Sequence, residues 1–292
     1  MARRGDDGAG GEAGGRAQVG RPAGQAAERW RMSDFEELHG RQSGRWAVKD
    51  QDAHGREVRG MFARISGVYD FMNHFLSLNR DKSWRRRVVA RLDGDVWELL
   101  DLCSGTGDLA LEAVRGGKGK TFLSADFCPE MLAGSRGKKG ADKLILSAAD
   151  AMNLPFRDFC VDAVTVGFGV RNFADVRRGL QEIKRVLRPG GQLLVLDFFR
   201  SDADADAGAG ARFAGQARGV PAPIRFGLNT VVPLLGKLVG RDGRAYSYLP
   251  SSMDQFLTPL EFEELLREYG FADTFIERQT FGIAHIVGGR LP

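Results

Sequence analysis

The sequence predicts an α/β domain built on a mostly parallel sheet with helices on both faces, closed by an antiparallel hairpin. Between residues 96 and 198, short apolar runs alternate with segments of helical period. Those apolar runs are nearly continuous, as strands buried on both faces are. Near the C-terminus, two more runs follow one another around a short turn with no helix between them.

Regular patterning begins near Val58, and residues 59–91 read as helical through Met61, Ile65, Val68, Phe71 and Phe75. Val96–Cys103 is the first strand and Leu109–Arg115 the helix behind it. Thr121–Asp126 is the second strand, followed by a helix opening on Pro129, which suits a first-turn position. Leu144–Ala148 and Val161–Val166 are the third and fourth strands. Asp175–Leu187 is a helix with Val176, Leu180, Ile183 and Leu187 on one face, stopped by Pro189-Gly190-Gly191. Gln192–Phe198 is the fifth strand. Thr258, Pro259 and Glu261 supply a cap, a first-turn proline and a first-turn acid for a helix over Thr258–Tyr269. Phe275–Gln279 and Ile283–Gly288 then form the hairpin around Phe281-Gly282, bringing the strands to seven.

Residues 1–57 are read as a poorly ordered extension and 58–292 as the folded domain. Residues 1–31 are rich in Gly, Ala, Arg and Asp and nearly lack large apolar side chains, so little surface is available to offset ordering entropy. The Asp-, Ala- and Gly-rich run at 201–223 reads as a flexible insertion.

Composition excludes several function classes. The 292 residues carry a net charge of only +4 with no concentrated basic stripe, so nucleic acid is not an expected partner. The run Lys82–Arg87 reads as the solvated end of a helix. Cys103, Cys128 and Cys160 are isolated thiols, which suits a reducing cytoplasm and offers neither a disulfide framework nor a metal site. No apolar run reaches the ~20 residues that cross a bilayer, and the N-terminus lacks the apolar core of a secretory signal.

Open sheets of this kind bind ligands beyond the carboxyl ends of their strands. Three consecutive strand ends carry suitable groups. Asp101-x-x-x-Gly105-Thr106-Gly107 follows the first, its glycines allowing close backbone approach and a tight turn. Asp126 ends the second, where a carboxylate accepts ribose hydroxyls, and Asp150-Ala151 follows the third, within reach of an adenine amino group. The glycine loop alone also fits a dinucleotide enzyme, with Ala110 in the place of a third glycine. The terminal hairpin and Asp150-Ala151 favour S-adenosylmethionine, since that hairpin resembles the one in Rossmann-like methyltransferases.

Several longer blocks carry a more specific resemblance. They are Phe62-x-x-Ile-x-x-Val-Tyr69-Asp70-x-Met-Asn73, Trp84-Arg85, Leu100–Asp108, Asp150–Phe156, Phe168-Gly-Val-Arg171-Asn172-Phe, Glu182-x-x-Arg-Val-Leu-x-Pro-Gly-Gly191 and Tyr248-Leu-Pro-x-Ser252. Over most of 58–292 the chain resembles the ubiquinone/menaquinone-biosynthesis C-methyltransferase family. The resemblance implies a seven-stranded Rossmann-like class I fold and methylation of a ring carbon on a polyprenylated quinol. Asp101, Gly105, Thr106, Gly107, Asp126, Asp150, Ala151 and Gly167 are the expected cofactor-binding residues. The family often has serine where Gly167 stands, which leaves backbone contact there. No catalytic metal is expected.

A quinol carbon becomes nucleophilic when the adjacent hydroxyl loses its proton. Arg171 and Asn172 are the expected holders of that oxygen or of an activating water, with Tyr69 and Asp70 closing over the site. Arginine stays protonated, so Arg171 suits phenolate stabilisation, with an ion pair to Asp175 as its structural alternative. His74, His285 and Cys103 read as structural. A prenylated substrate implies a cytoplasmic protein making transient contact with a membrane surface, with Ile224–Val239 as the apolar candidate or else a buried helix pair. A homodimer is compatible with the sequence. A methyltransferase for another small or lipidic acceptor, and a non-catalytic or RNA-associated protein, are the competing readings.

Overall fold

The computed structural model describes residues 59, 60, 62–64, 66, 70, 74, 77–94, 96–200 and 256–292, all within one unit spanning 51–292. The N-terminal extension, Tyr69, the 201–223 insertion, Ile224–Val239 and the Tyr248–Ser252 block lie outside the described residues, as do Met61, Ile65, Val68, Phe71 and Phe75.

Strands β1 (Glu98–Leu102), β2 (Thr121–Asp126), β3 (Leu144–Ala148), β4 (Val161–Gly167), β5 (Leu187–Asp197), β6 (Ala272–Gln279) and β7 (Ala284–Arg290) form one seven-stranded sheet, in the order β3-β2-β1-β4-β5-β7-β6. Neighbours from β3 to β5 are parallel, whereas β7 runs antiparallel to both β5 and β6. The reversal of strand order beside β1 leaves a crevice at the carboxyl ends of β1 and β4, where ligands of open α/β sheets bind.

The helices are α1 (Arg80–Arg91), α2 (Asp108–Arg115), α3 (Pro129–Ala133), α4 (Val176–Val186) and α5 (Pro259–Glu268). Helices α1 and α2 pack on each other, α3 on β2 and β3, α4 on β5, and α5 on β6 and β7. Trp84, Val88 and Val89 of α1 join Leu109, Ala110 and Leu111 of α2 in a core with Leu99, Phe122 and Leu194 of the sheet. Each fully buried leucine or valine of this kind contributes roughly 1.5–3 kcal/mol. Thr258 and Glu261 form a reciprocal capping box on α5, and Asp175 caps α4 by accepting the Arg178 N–H at 3.0 Å.

Three expectations are corrected. The single helix over 59–91 is interrupted at Ser77–Asn79, where Leu78 and Asn79 adopt positive φ (51° and 60°) ahead of α1. The basic run is not wholly solvated: Arg85 is buried, because it pairs with acids on both sides. Pro189-Gly190-Gly191 follows α4 as expected but lies within β5, which starts at Leu187.

Candidate active site

Beyond β1 the backbone alternates between ordinary and left-handed conformations. Cys103, Gly105 and Gly107 have φ of 56°, 56° and 79°. The loop is pinned by Ser104 N–H on the Ala125 carbonyl (3.0 Å) and Gly107 N–H on the Ser104 carbonyl (2.8 Å). Gly107 then caps α2 without a side chain, and a Cβ there would sit 3.2 Å from Leu144 Cδ1 and Ser135 Cβ. The glycine is therefore demanded by both conformation and space.

Asp101 lies beneath this loop rather than facing the crevice. It is 1% exposed, and its oxygens accept the Ala110 N–H (3.1 Å) and the Thr165 hydroxyl (2.8 Å), tying β1 to α2 and β4. Burial pushes its carboxyl up to about 7. Asp126, at the end of β2, accepts the N–H groups of Gly105 and Cys128, both at 2.8 Å. Burial pushes it up to about 6 against the pull of those N–H groups, although an edge of the residue reaches solvent. The Phe127 N–H also reaches it, and since a carboxylate has about four lone-pair sites, capacity for a further donor remains.

The third strand end is tied to the second by the Ala149 N–H on the Asp126 carbonyl (3.0 Å). Asp150 accepts the Met152 N–H at 2.9 Å, and Ala151 beside it is buried. Gly167 ends β4, and a Cβ there would lie 3.3 Å from Leu109 Cδ2, so a serine at this position would press on α2.

The turn after β4 approaches the glycine loop from across the crevice. Phe168 has φ of 59°. At Gly169 a Cβ would fall 2.4 Å from Cys103 Cβ, so only a glycine lets the two loops touch. The Cys103 thiol is held well above its usual value by burial and by four surrounding aspartates, which leaves it an inert spacer. Arg171 Nη1 donates to the Asp197 carboxylate (2.5 Å) and to the Phe168 carbonyl (2.7 Å). The ion-pair partner is thus Asp197 at the end of β5. Asp175 is used as a helix cap instead. Asn172 turns its amide to the same Phe168 carbonyl at 3.4 Å.

Sequence reasoning missed three contributors. Asp197 reads as the last polar residue of an apolar strand, and nothing in its spacing marks it. Trp84, Phe168 and Phe198 form an aromatic cluster over Arg171: Phe168 and Phe198 are 4.8 Å apart, and the Arg171 guanidinium lies 5.5 Å from the Phe198 ring. The third is an ionic chain on the outer side of the glycine loop. Thr106 donates its hydroxyl to Asp70, whose carboxylate also meets Lys138 at 2.6 Å; Lys138 meets Asp108 at 2.6 Å, and Arg85 meets Asp108 at 3.3 Å. Arg85 also pairs with Asp81, which accepts from His74 at 2.7 Å. Burial opposes ionisation of Asp108, but Arg85 and Lys138 hold its carboxyl below the usual range. Asp70, His74, Arg85, Asp108 and Lys138 of this ionic chain line a cleft of about 640 Å³. His74, Asp81 and Asp108 approach within 4.8 Å of one another, yet Arg85 already supplies their cation.

The residues at the three strand ends fit a nucleoside cofactor. Asp126 keeps lone pairs for ribose hydroxyls, the loop is pared to glycine where a ligand approaches, and the buried Ser104 hydroxyl beside it has no partner among the described residues. Tyr69 lies outside the described residues, so its place at this site is not described.

The ubiE/COQ5 methyltransferase family model matches residues 48–290. A demethylmenaquinone methyltransferase of Deinococcus radiodurans is 38% identical over 81% of this chain and 93% of its own. One from Thermus thermophilus is 39% identical over 80% of this chain and 100% of its own. The ubiquinone/menaquinone biosynthesis C-methyltransferase UbiE of Geobacter sulfurreducens is 35% identical over 80% and 88%. Among solved structures, a SAM-dependent methyltransferase of Thermotoga maritima (TM-score 0.53, 16% identity, 80% of this chain and 99% of that one) shares the fold. So does the [4+2]-cyclase SpnF (TM-score 0.54, 18% identity, 82% and 97%).

Proposed function

The chain belongs to the ubiE/COQ5 methyltransferase family, and from that premise we propose that it methylates a ring carbon of a polyprenylated quinol, with demethylmenaquinol as acceptor and S-adenosylmethionine as donor. The observation that carries the reading is the contact of two loops across the crevice: the glycine loop after β1 and the Phe168–Asn172 turn after β4 meet at Cys103 and Gly169. A group held by the first loop would therefore lie beside a group held by the second.

The bound cofactor supplies an electrophilic methyl group on a sulfonium. Asp126 would hold its ribose, the loop Gly105–Gly107 would lie against its backbone-facing side, and Asp150-Ala151 would take the adenine. Asp101 would act from beneath, fixing the loop and the start of α2. Arg171 would receive the substrate oxygen as it gives its proton to water, stabilising phenolate charge with a cation that stays protonated, and the ring carbon that takes the methyl would then shed its own hydrogen as a proton to restore the aromatic ring. Asn172 would orient the same oxygen or a water beside it. Holding both reactants in line supplies up to ~7–11 kcal/mol of the barrier without further chemistry.

The substrate's prenyl tail also implies a transient membrane contact. No helix among the described residues is long and apolar enough to cross a membrane, so docking at the surface is the expected mode.

The test is to incubate the protein with S-adenosylmethionine and a short-tailed demethylmenaquinol under reducing conditions and read the product by mass spectrometry. A product heavier by CH2, with a methyl in place of the hydrogen on the naphthoquinol ring, is expected. Failure to bind S-adenosylhomocysteine, or methylation of oxygen rather than carbon, would overturn the reading.

A further inference from the structure

We propose that Asp197 is the positioning residue for Arg171: it fixes the guanidinium by one nitrogen and leaves the opposite edge to the substrate oxygen. The proposal rests on the role assigned above to Arg171.

Asp197 is fully buried at the end of β5, with 0% of its side chain exposed. Its own orientation is set by the backbone: Oδ1 accepts the Phe198 N–H at 2.8 Å and Oδ2 the Arg171 N–H at 3.3 Å. A carboxylate locked in this way is a fixed reference point for whatever it binds. It binds Arg171 Nη1 at 2.5 Å, and the same nitrogen donates to the Phe168 carbonyl at 2.7 Å. Phe198 lies against the guanidinium from a third side, 5.5 Å from ring centre to Cζ. One corner of the fork is therefore fully spent.

The other edge is not. Arg171 Nε is buried and has no partner among the described residues, and no described residue accepts from Nη2. An arginine side chain only 6% exposed with an unspent donor is costly to keep unless something accepts from it. The pair Nε–H and Nη2–H is the planar two-donor edge that suits an oxyanion. A simple structural salt bridge would gain more by turning that fork edge-on to Asp197, with two parallel bonds. Asp197 instead takes Nη1, and its second oxygen takes backbone N–H.

The experiment uses Asp197→Asn, which keeps the volume and removes the charge, beside Arg171→Ala and the parent protein. Three quantities are read: kcat and KM with a short-tailed demethylmenaquinol, the calorimetric Kd for S-adenosylhomocysteine, and Tm. The expected result for Asp197→Asn is a kcat loss of about 100-fold, the penalty typical of ångström-scale misplacement of a reacting group. Kd for S-adenosylhomocysteine should stay within twofold. A Tm shift without a kcat loss would reduce Asp197 to a structural ion-pair partner and overturn the proposal. If Asp197→Asn fails to fold, Asp197→Glu replaces it, keeping the charge and moving it by one methylene. A kcat loss of tenfold or more at unchanged Kd then supports positioning, and unchanged kcat overturns it. Normal turnover in Arg171→Ala sinks the underlying reading, whereas loss in Arg171→Ala with normal turnover in a folded Asp197 variant sinks this proposal alone.

Discussion

The Cβ that Gly169 lacks would fall 2.4 Å from the Cβ of Cys103. The carboxyl ends of β1 and β4 are therefore held at the closest separation their backbones allow. Gly169→Ala must open the crevice. The expected outcome is a loss of about 1–3 kcal/mol in stability from overpacking and at least a tenfold weaker Kd for S-adenosylhomocysteine. Denaturant melts and calorimetry read the two effects separately, and an unchanged Kd would show that the loop separation does not govern the cofactor.

Asp126 predicts a pH dependence of cofactor affinity. Its carboxyl is pushed up to about 6 by burial, and ribose hydroxyls bond best to the ionised form. Affinity for S-adenosylhomocysteine should be level near pH 8 and fall as the pH drops through about 6, approaching tenfold per unit below it. Asp126→Asn should bind weakly and without that slope. Calorimetry between pH 5 and 8 checks both arms.

Asp101 predicts a pH dependence of stability with the opposite character. Its folded value of about 7 lies above the ordinary 3.8, so the folded protein binds more protons across that window. Stability contributed by this group is present at low pH and is lost as the pH rises toward 7. Asp101→Asn places a carbonyl opposite the Ala110 N–H and an amide opposite the Thr165 hydroxyl, so both bonds survive without the charge. Its Tm should equal or exceed the parent's at pH 8, and the difference should shrink toward pH 5.

Asp70 links the segment before α1 to the glycine loop through Thr106 and to α2 through Lys138. Asp70→Ala leaves both partners short of an acceptor. A five- to thirty-fold rise in Kd for S-adenosylhomocysteine is expected, equivalent to about 1–2 kcal/mol. Tm should move by only a few degrees, because the carboxyl is partly exposed. Equal Kd values would mean that the ionic chain and the cofactor loop are uncoupled.

The parallel sheet was legible because its strands are unbroken apolar runs bounded by glycine and acid. The spans expected for Thr121–Asp126 and Leu144–Ala148 coincide with β2 and β3. The break at Ser77–Asn79 was not legible, since it contains neither glycine nor proline and its left-handed residues are leucine and asparagine. At the site, an acid at a strand end reads the same whether it faces the crevice or the interior. Asp126 and Asp101, on adjacent strands, show the two cases: the first is met by the N–H groups of the loop it faces, the second lies under its own loop. Arg171 was found from its neighbours in sequence, but its partner was not, because Asp197 lies on another strand and only the β4–β5 pairing brings them together.

The place of β7 bears on how the polypeptide is made. β6 precedes it in the chain, yet the two strands bordering β7 are β5 and β6, and Ile286 and Val287 within it are fully buried. Until β7 is in place, β6 has no finished edge to join, because β7 is the strand it pairs with. The sheet closes only when the following strand leaves the ribosome and slides between its neighbours. A stall before residue 284 would leave the β5 edge bare, displaying Leu193 to Leu196 to chaperones or to other nascent chains.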